Sequence, residues 1–184
     1  MKNKIRIHLA DDHQVLIDGL TNLLQTVTNF EVVGSSQDGI NIYNDVIANN
    51  ANILVLDISM PKKDGIEVLK EFSQKDFPCS IIILSSYDDL KIIKEVMKLG
   101  AKGYLTKKCA GGNIIQAIEA VHQGQEYFCD AVREKIFNSF THNNPKLNRN
   151  HHIENPILST REIEIITLIS LEYSGKEISE QLFI

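Results

Sequence analysis

Apolar runs and amphipathic stretches alternate along the first 125 residues. The short runs, rich in apolar and β-branched residues, are KIRIHLA (4–10), FEVVGSS (30–36), NILVLD (52–57), CSIIILSS (79–86) and GYLT (103–106). Between them lie HQVLIDGLTNLLQTV (13–27), DGINIYNDVIAN (38–49), DGIEVLKEFSQ (64–74), DDLKIIKEVMKLG (88–100) and GGNIIQAIEAVHQG (111–124), each with apolar residues at helical spacing. In the first of these, Val15, Leu16, Leu20, Leu23 and Leu24 are the expected buried face. Regular strand-helix alternation predicts a parallel sheet with helices on both faces. Residues 53–56 and 81–84 are apolar throughout, as central strands covered on both sides require. Gly100 and Gly124 stand where helices end on a left-handed residue.

Residues 125–140 read as one more helix, with Val132, Ile136, Phe137 and Phe140 as its stripe. THNNPKLNRNHHIENP (141–156) has four Asn between 143 and 150, two Pro and almost nothing to bury, so it reads as a linker. Ser159-Thr160-Arg161-Glu162 is then a capping-box pattern opening a helix, and Tyr173-Ser174-Gly175 interrupts it before a second one from Lys176. The expected organisation is therefore an α/β domain over 1–125, a helix and linker over 126–156, and a small all-α segment over 157–184.

Composition narrows the class. The chain has 184 residues, 43% hydrophobic and 23% charged, as in ordinary globular proteins. No apolar run approaches the ~20 residues that span a bilayer, and the first residues do not form a signal peptide. Three widely spaced cysteines, Cys79, Cys109 and Cys129, make neither a disulfide framework nor a zinc pattern, and they suit a cytoplasmic protein. Residues 1–125 carry 13 Lys and Arg against 15 Asp and Glu, and residues 126–184 carry 6 against 9. Neither part has the basic excess of a nucleic-acid surface.

Candidate chemistry sits at the carboxyl ends of the predicted strands, where open parallel sheets bind ligands. Asp11 and Asp12 follow the first strand, Asp57 the third, Ser85 and Ser86 the fourth, and Lys107 the fifth. The flavodoxin-like order 2-1-3-4-5 would bring three carboxylates together, flanked by a hydroxyl and an amine. Such a cluster repels itself unless a cation joins it, and a hard divalent ion such as Mg²⁺ suits carboxylate oxygens. One carboxylate could then take a phosphoryl group as an acyl phosphate. Each residue has a plainer reading: Asp11 and Asp12 could cap the helix, Lys107-Lys108 could be a solvated pair, and Tyr104 could be core. His13 is explained by a helix amino terminus better than as a phosphate carrier. Cys109 lies close enough to Lys107 for a lowered thiol pKa and a redox role to be one reading.

LADDH, VLDISMPKKDG, IILSS and KGYLTKK, in that order, resemble the signature of bacterial response-regulator receiver domains, over about residues 4–124. The resemblance implies a flavodoxin-like (βα)5 fold with Asp57 as phosphoacceptor. It implies Mg²⁺ held by Asp11, Asp12, Asp57 and the backbone carbonyl of Ser59, with Asp11 acting mostly through water. Lys107 would contact the phosphoryl group. Ser85 and Tyr104 would read its arrival, the ring of Tyr104 turning inward as the Ser85 hydroxyl moves to the new oxygens. The phosphodonor would be a sensor histidine kinase or a small phosphorylated molecule. The dimer surface stays open, and so does the existence of a homodimer.

Residues 158–184 resemble the start of the LuxR-type helix-turn-helix domain of NarL/FixJ-like response regulators. Leu158, Arg161, Glu162, Glu164, Glu177, Ile178 and Leu182 match its pattern, with Ser159, Ile165 and Ser179 departing from it. Together the two resemblances imply a transcriptional response regulator with no enzymatic turnover beyond its own phosphorylation and dephosphorylation. A haloacid-dehalogenase-type phosphohydrolase is the alternative from another class. It also has Asp after a parallel strand, but it wants a second acid at position 59, where this chain has Ser59. A receiver acting only as a docking module is a third. The recognition helix of the LuxR-type domain would lie past Ile184, and residues 157–184 carry Arg161 and Lys176 against five glutamates. DNA is thus the expected partner of a full-length protein and not of residues 1–184, because affinity depends on neutralising phosphates. Footprinting of residues 1–184 on the organism's own promoters at low salt should show no discrete protected site; a longer version should produce one.

Overall fold

In the computed structural model, residues 4–75 and 79–141 are described. They belong to the first of two units into which the chain divides, Met1–Asn144 and Pro145–Ile184. The predicted linker beyond 141 and the predicted helix-turn-helix segment lie outside the described residues.

From the amino terminus the elements are β1 (Ile5–Ala10), α1 (Gln14–Leu24), β2 (Phe30–Ser36), α2 (Ile42–Ala48), β3 (Ile53–Leu56) and α3 (Gly65–Ser73). There follow β4 (Ser80–Ser85), α4 (Leu90–Lys98), β5 (Gly103–Thr106), α5 (Ala110–His122), β6 (Tyr127–Phe128) and α6 (Asp130–Thr141). The strands pair in parallel in the order β2-β1-β3-β4-β5-β6. This is the expected 2-1-3-4-5 order with one strand added at the edge. The direction of strand addition reverses after β2, so right-handed crossovers place α1 on one face and α2 and α3 on the other. Accordingly α1 packs against α5, and α2 against α3.

β3 and β4 form the centre. Ile53, Leu54 and Leu56 of β3 and Ile82 and Ile83 of β4 are fully buried, which explains why both strands are apolar at every position. α4 and α5 end as the glycines predict. Gly100 has φ +100°, its N–H donates to Met97 O, and the Ala101 N–H donates to Val96 O at 3.1 Å. Gly124, at φ +83°, repeats the arrangement with Val121 and Ala120. These paired bonds satisfy carbonyls that a helix end leaves open.

Four details differ from the sequence expectations. Residues 125–140 are not one helix: Tyr127 N donates to Lys102 O and Cys129 N to Tyr104 O, so a two-residue strand joins β5 before α6 begins. Within α6, Val132 is buried and Ile136 half-buried, but Phe137 is 64% exposed. In α1 the buried residues are Ile17, Leu20 and Leu24, whereas Val15 is 85% exposed. The 17-20-24 spacing follows the helical period from a start at Gln14, which turns Val15 outward. Finally, α2 begins at Ile42 rather than near Asp38. The Asp38 carboxylate accepts from Ile40 N at 3.0 Å and pairs with Lys62 at 2.7 Å, a side-chain turn that competes with helix.

Replacing Ile83 by Ala removes a fully buried side chain from the central strand pair. The expected cost is about 2–5 kcal/mol, seen as a lower urea midpoint with an unchanged slope.

Candidate functional site

Backbone hydrogen bonds just past the strand ends set the frame. Asp11 N donates to Ser36 O at 3.0 Å, Asp57 N to Ala10 O at 2.8 Å, and Lys107 N to Ser85 O at 2.8 Å. Each ties the first residue beyond a strand to the neighbouring strand. The side chains of Asp11, Asp57 and Lys107 therefore start from fixed backbone on one edge of the sheet.

The Lys107 ammonium lies 2.7 Å from Asp11 Oδ2 and 2.8 Å from Asp57 Oδ2. Both carboxylates are almost fully buried. Among the described residues, Asp11 Oδ2 has only this ammonium as its partner. Asp57 Oδ1 accepts from Ile58 N at 2.8 Å, and the Ser59 amide also contributes a hydrogen bond to this carboxylate. Asp12 is more exposed, and its Oδ1 lies 2.7 Å from His13 Nδ1. The same ring nitrogen is 3.0 Å from Asp11 Oδ1, which also accepts from His13 N at 2.9 Å.

One ammonium between two buried carboxylates leaves the charges unequal. Burial pushes the Asp57 carboxyl above its ordinary value, with the Asp11 charge adding to the rise and Lys107 opposing it. Burial alone would lower Lys107, but its hydrogen bonds to Asp11 and Asp57 carry it above the usual lysine range. The lysine is held charged, while the carboxylate pair remains incompletely neutralised.

Ser85, fully buried, accepts from Tyr87 N at 3.1 Å through its hydroxyl oxygen. The Tyr104 hydroxyl donates to Tyr87 O at 2.7 Å. Tyr104 is also fully buried, and burial pushes its phenol up to about 12. In this structure the ring of Tyr104 lies inward. The reason is local: the two polar groups of Tyr87 are satisfied by Ser85 and Tyr104, which closes the loop over the ring.

The structure thus brings Asp11, Asp12, Asp57 and Lys107 together, with Ser59 on the Asp57 loop and Ser85 and Tyr104 on the neighbouring strands. Two contributors were missed or discounted. His13 caps nothing with its side chain but belongs to the carboxylate cluster; its ring nitrogen and the oxygens of Asp11, Asp12 and Asp57 all lie within 4.8 Å of one another. Gly65 opens α3 against Asp57, and a Cβ there would come 2.3 Å from the Asp57 carbonyl oxygen. The amphipathic stretch 64–74 predicted a helix here, and an Asp64–Glu67 capping box opens it, but sequence alone does not disclose the close approach. Cys109 departs from expectation, since burial and the neighbouring Cys129 thiol raise its pKa rather than lower it.

Residues 7–119 match the family described as response regulator receiver domain. The oxygen regulatory protein NreC of Staphylococcus carnosus is 33% identical over 98% of this chain and 83% of its own length. The chain belongs to the two-component response regulators. Among solved structures, a LuxR-family response regulator from Aurantimonas sp. SI85-9A1 superposes with a TM-score of 0.72 at 26% identity, over 76% of this chain and 99% of that one. The isolated receiver domain of RcsB from Salmonella enterica serovar Typhimurium, solved in the presence of the phosphomimetic BeF3-, gives 0.67 at 27% identity, over 72% of this chain and 98% of its own. Response regulators of this NarL-like, LuxR-family kind control transcription in two-component signalling and are not turnover enzymes, so the phosphohydrolase alternative falls away. Among the described residues no helix is long and apolar enough to cross a membrane.

The donor set fits a hard divalent cation. Three carboxylates converge on a region with a single lysine, leaving net negative charge and several oxygen donors.

The raised Asp57 pKa has a stability consequence. Between the ordinary value of 3.8 and its folded value, the native state holds a proton that the unfolded chain has lost, so stability falls as pH rises through that window. Asp57→Asn cannot ionise. Its melting temperature should exceed that of the wild type by a margin that grows with pH across the window and is constant above it, measured by thermal melts in metal-free buffer.

Proposed function

We propose that Asp57 is the phosphoacceptor of this response regulator. Its carboxylate attacks the phosphorus of a phosphohistidine on a sensor histidine kinase, or of a small phosphodonor. An O–P bond forms as the P–N bond, or the donor's P–O bond, breaks. Self-phosphorylation from small donors and later hydrolysis of the acyl phosphate are the only reactions assigned to the chain. The observation that carries this reading is the pairing of the buried Asp57 with Lys107 at 2.8 Å beside two further carboxylates.

Asp11, Asp12, Asp57 and the carbonyl of Ser59 would hold Mg²⁺, which when bound offsets negative charge on the transferring group. Lys107 stays charged and transfers its hydrogen bonds from the carboxylate to the incoming oxygens. The Ser85 hydroxyl can donate to a phosphoryl oxygen while its own oxygen still accepts from Tyr87 N, because a hydroxyl does both. Reading then proceeds through the Ser85–Tyr87–Tyr104 arrangement, a packing change biased by the new hydrogen bond. The receiver spans about residues 1–125, the helix and linker 126–156, and the LuxR-type segment begins near 157. DNA is the proposed target of that C-terminal domain, in a cytoplasmic protein; an RcsB structure with two dimers on two DNAs supports that class of partner and a homodimer.

Acetyl phosphate with Mg²⁺ should add one phosphoryl group, seen by intact-mass spectrometry. EDTA or Asp57→Asn should abolish it, and Lys107→Ala should slow it by about 10²-fold or more. Undiminished labelling of Asp57→Asn would place the acceptor elsewhere.

A further inference from the structure

We propose that Cys109 and Cys129 are a thiol pair that closes to a reversible disulfide under hydroperoxide and so fastens α6 to the start of α5. The two residues come from different connections. Cys109 is the residue before α5, and its N–H donates to Thr106 O; Cys129 stands between β6 and α6, and its N–H donates to Tyr104 O. Both are thus anchored by their own backbone to the carboxyl end of β5. The Cys109 thiol lies 3.2 Å from Thr106 O and 3.3 Å from Thr106 Oγ1, and the Cys129 thiol is a further hydrogen-bonding neighbour. Both cysteines are free, Cys109 half-buried and Cys129 fully buried.

That asymmetry assigns the roles. The half-buried Cys109 meets the oxidant. Its sulfur attacks one oxygen of the hydroperoxide, the O–O bond breaks, and a sulfenic acid forms with release of water or alcohol. The buried Cys129 sulfur then attacks the Cys109 sulfur, an S–S bond forms, and water leaves. Two thiols have lost two electrons and two protons, and the peroxide has taken them. Cys129 needs no solvent access, because its target is the adjacent sulfur. Burial and the neighbouring Cys129 thiol raise the Cys109 pKa, which slows its reaction with the oxidant. Disulfides that form in a reducing compartment are usually transient and regulatory.

The consequence falls on α6. The link would hold residue 129, immediately before α6, against residue 109, two positions past Lys107. Cys79 is the internal control: it lies in another part of the fold, and burial pushes its thiol up to about 12.

The test treats residues 1–184 with hydrogen peroxide, quenches with catalase, alkylates in denaturant and maps peptides without reduction. The expected product is one intramolecular peptide pair joining Cys109 to Cys129, reversed by dithiothreitol, with Cys79 alkylated. Cys129→Ser should leave a Cys109 sulfenic acid that dimedone traps, and Cys109→Ser should leave Cys129 unoxidised. Hydrogen exchange at 130–139 should slow in the oxidised wild type and stay unchanged in both variants. Three results overturn the proposal: a dimedone adduct on Cys109 in wild type equal to that in Cys129→Ser, a linked peptide through Cys79, or a Cys109–Cys129 link with no change in exchange at α6.

Discussion

A single ammonium group bridging two buried carboxylates organises this molecule. Lys107 holds Asp11 and Asp57 at 2.7 and 2.8 Å, and each of the three residues stands just beyond a strand. Buried like charges are tolerated only with compensation, and one lysine compensates incompletely. The remaining imbalance makes the site receptive to a cation and keeps Asp57 costly to ionise. The apolar centre of the parallel sheet offsets this cost: β3 and β4 are buried on both faces, and the charged groups stand just beyond β1, β3 and β5.

The surroundings are arranged to keep that geometry. Backbone hydrogen bonds continue past the strand ends at Asp11, Asp57 and Lys107, so the side chains do not depend on loop conformation. Gly65 lets α3 begin against the Asp57 carbonyl. The Asp64–Glu67 capping box then fixes where that helix starts.

A chain of contacts leads from the site toward α6. Ser85 holds Tyr87 N, Tyr104 holds Tyr87 O, and the next residue, Asp88, receives Lys135 of α6 at its carbonyl, 3.1 Å away, and at its carboxylate, 2.5 Å away. The Asp88–Lys135 pair is exposed, so its strength is modest and falls with salt. Its position matters more, because α6 is thereby attached to the loop that Ser85 and Tyr104 close. Physical continuity of this kind permits coupling; a two-state element must still be biased for a signal to pass.

The sequence by itself determined the alternation of strands and helices, the central strands and the acids and lysine that meet beyond the strand ends. Those features rest on local rules: apolar runs at 53–56 and 81–84 read directly as buried strands, glycines at 100 and 124 as helix ends, and acids at strand ends as a convergent site. It was silent or misleading where long-range contact decides. The two-residue strand β6 forms beside β5 because Tyr127 and Cys129 find carbonyls of Lys102 and Tyr104, and two residues are too few for a periodic signal. Val15 and Phe137 are apolar yet exposed because helix rotation is set by what each helix packs on. The inward ring of Tyr104, the place of His13 among the carboxylates, the demand for glycine at 65 and the meeting of Cys109 with Cys129 likewise join atoms far apart in sequence or set by loop closure. Periodicity reports which residues share a face; only packing in three dimensions decides what that face meets.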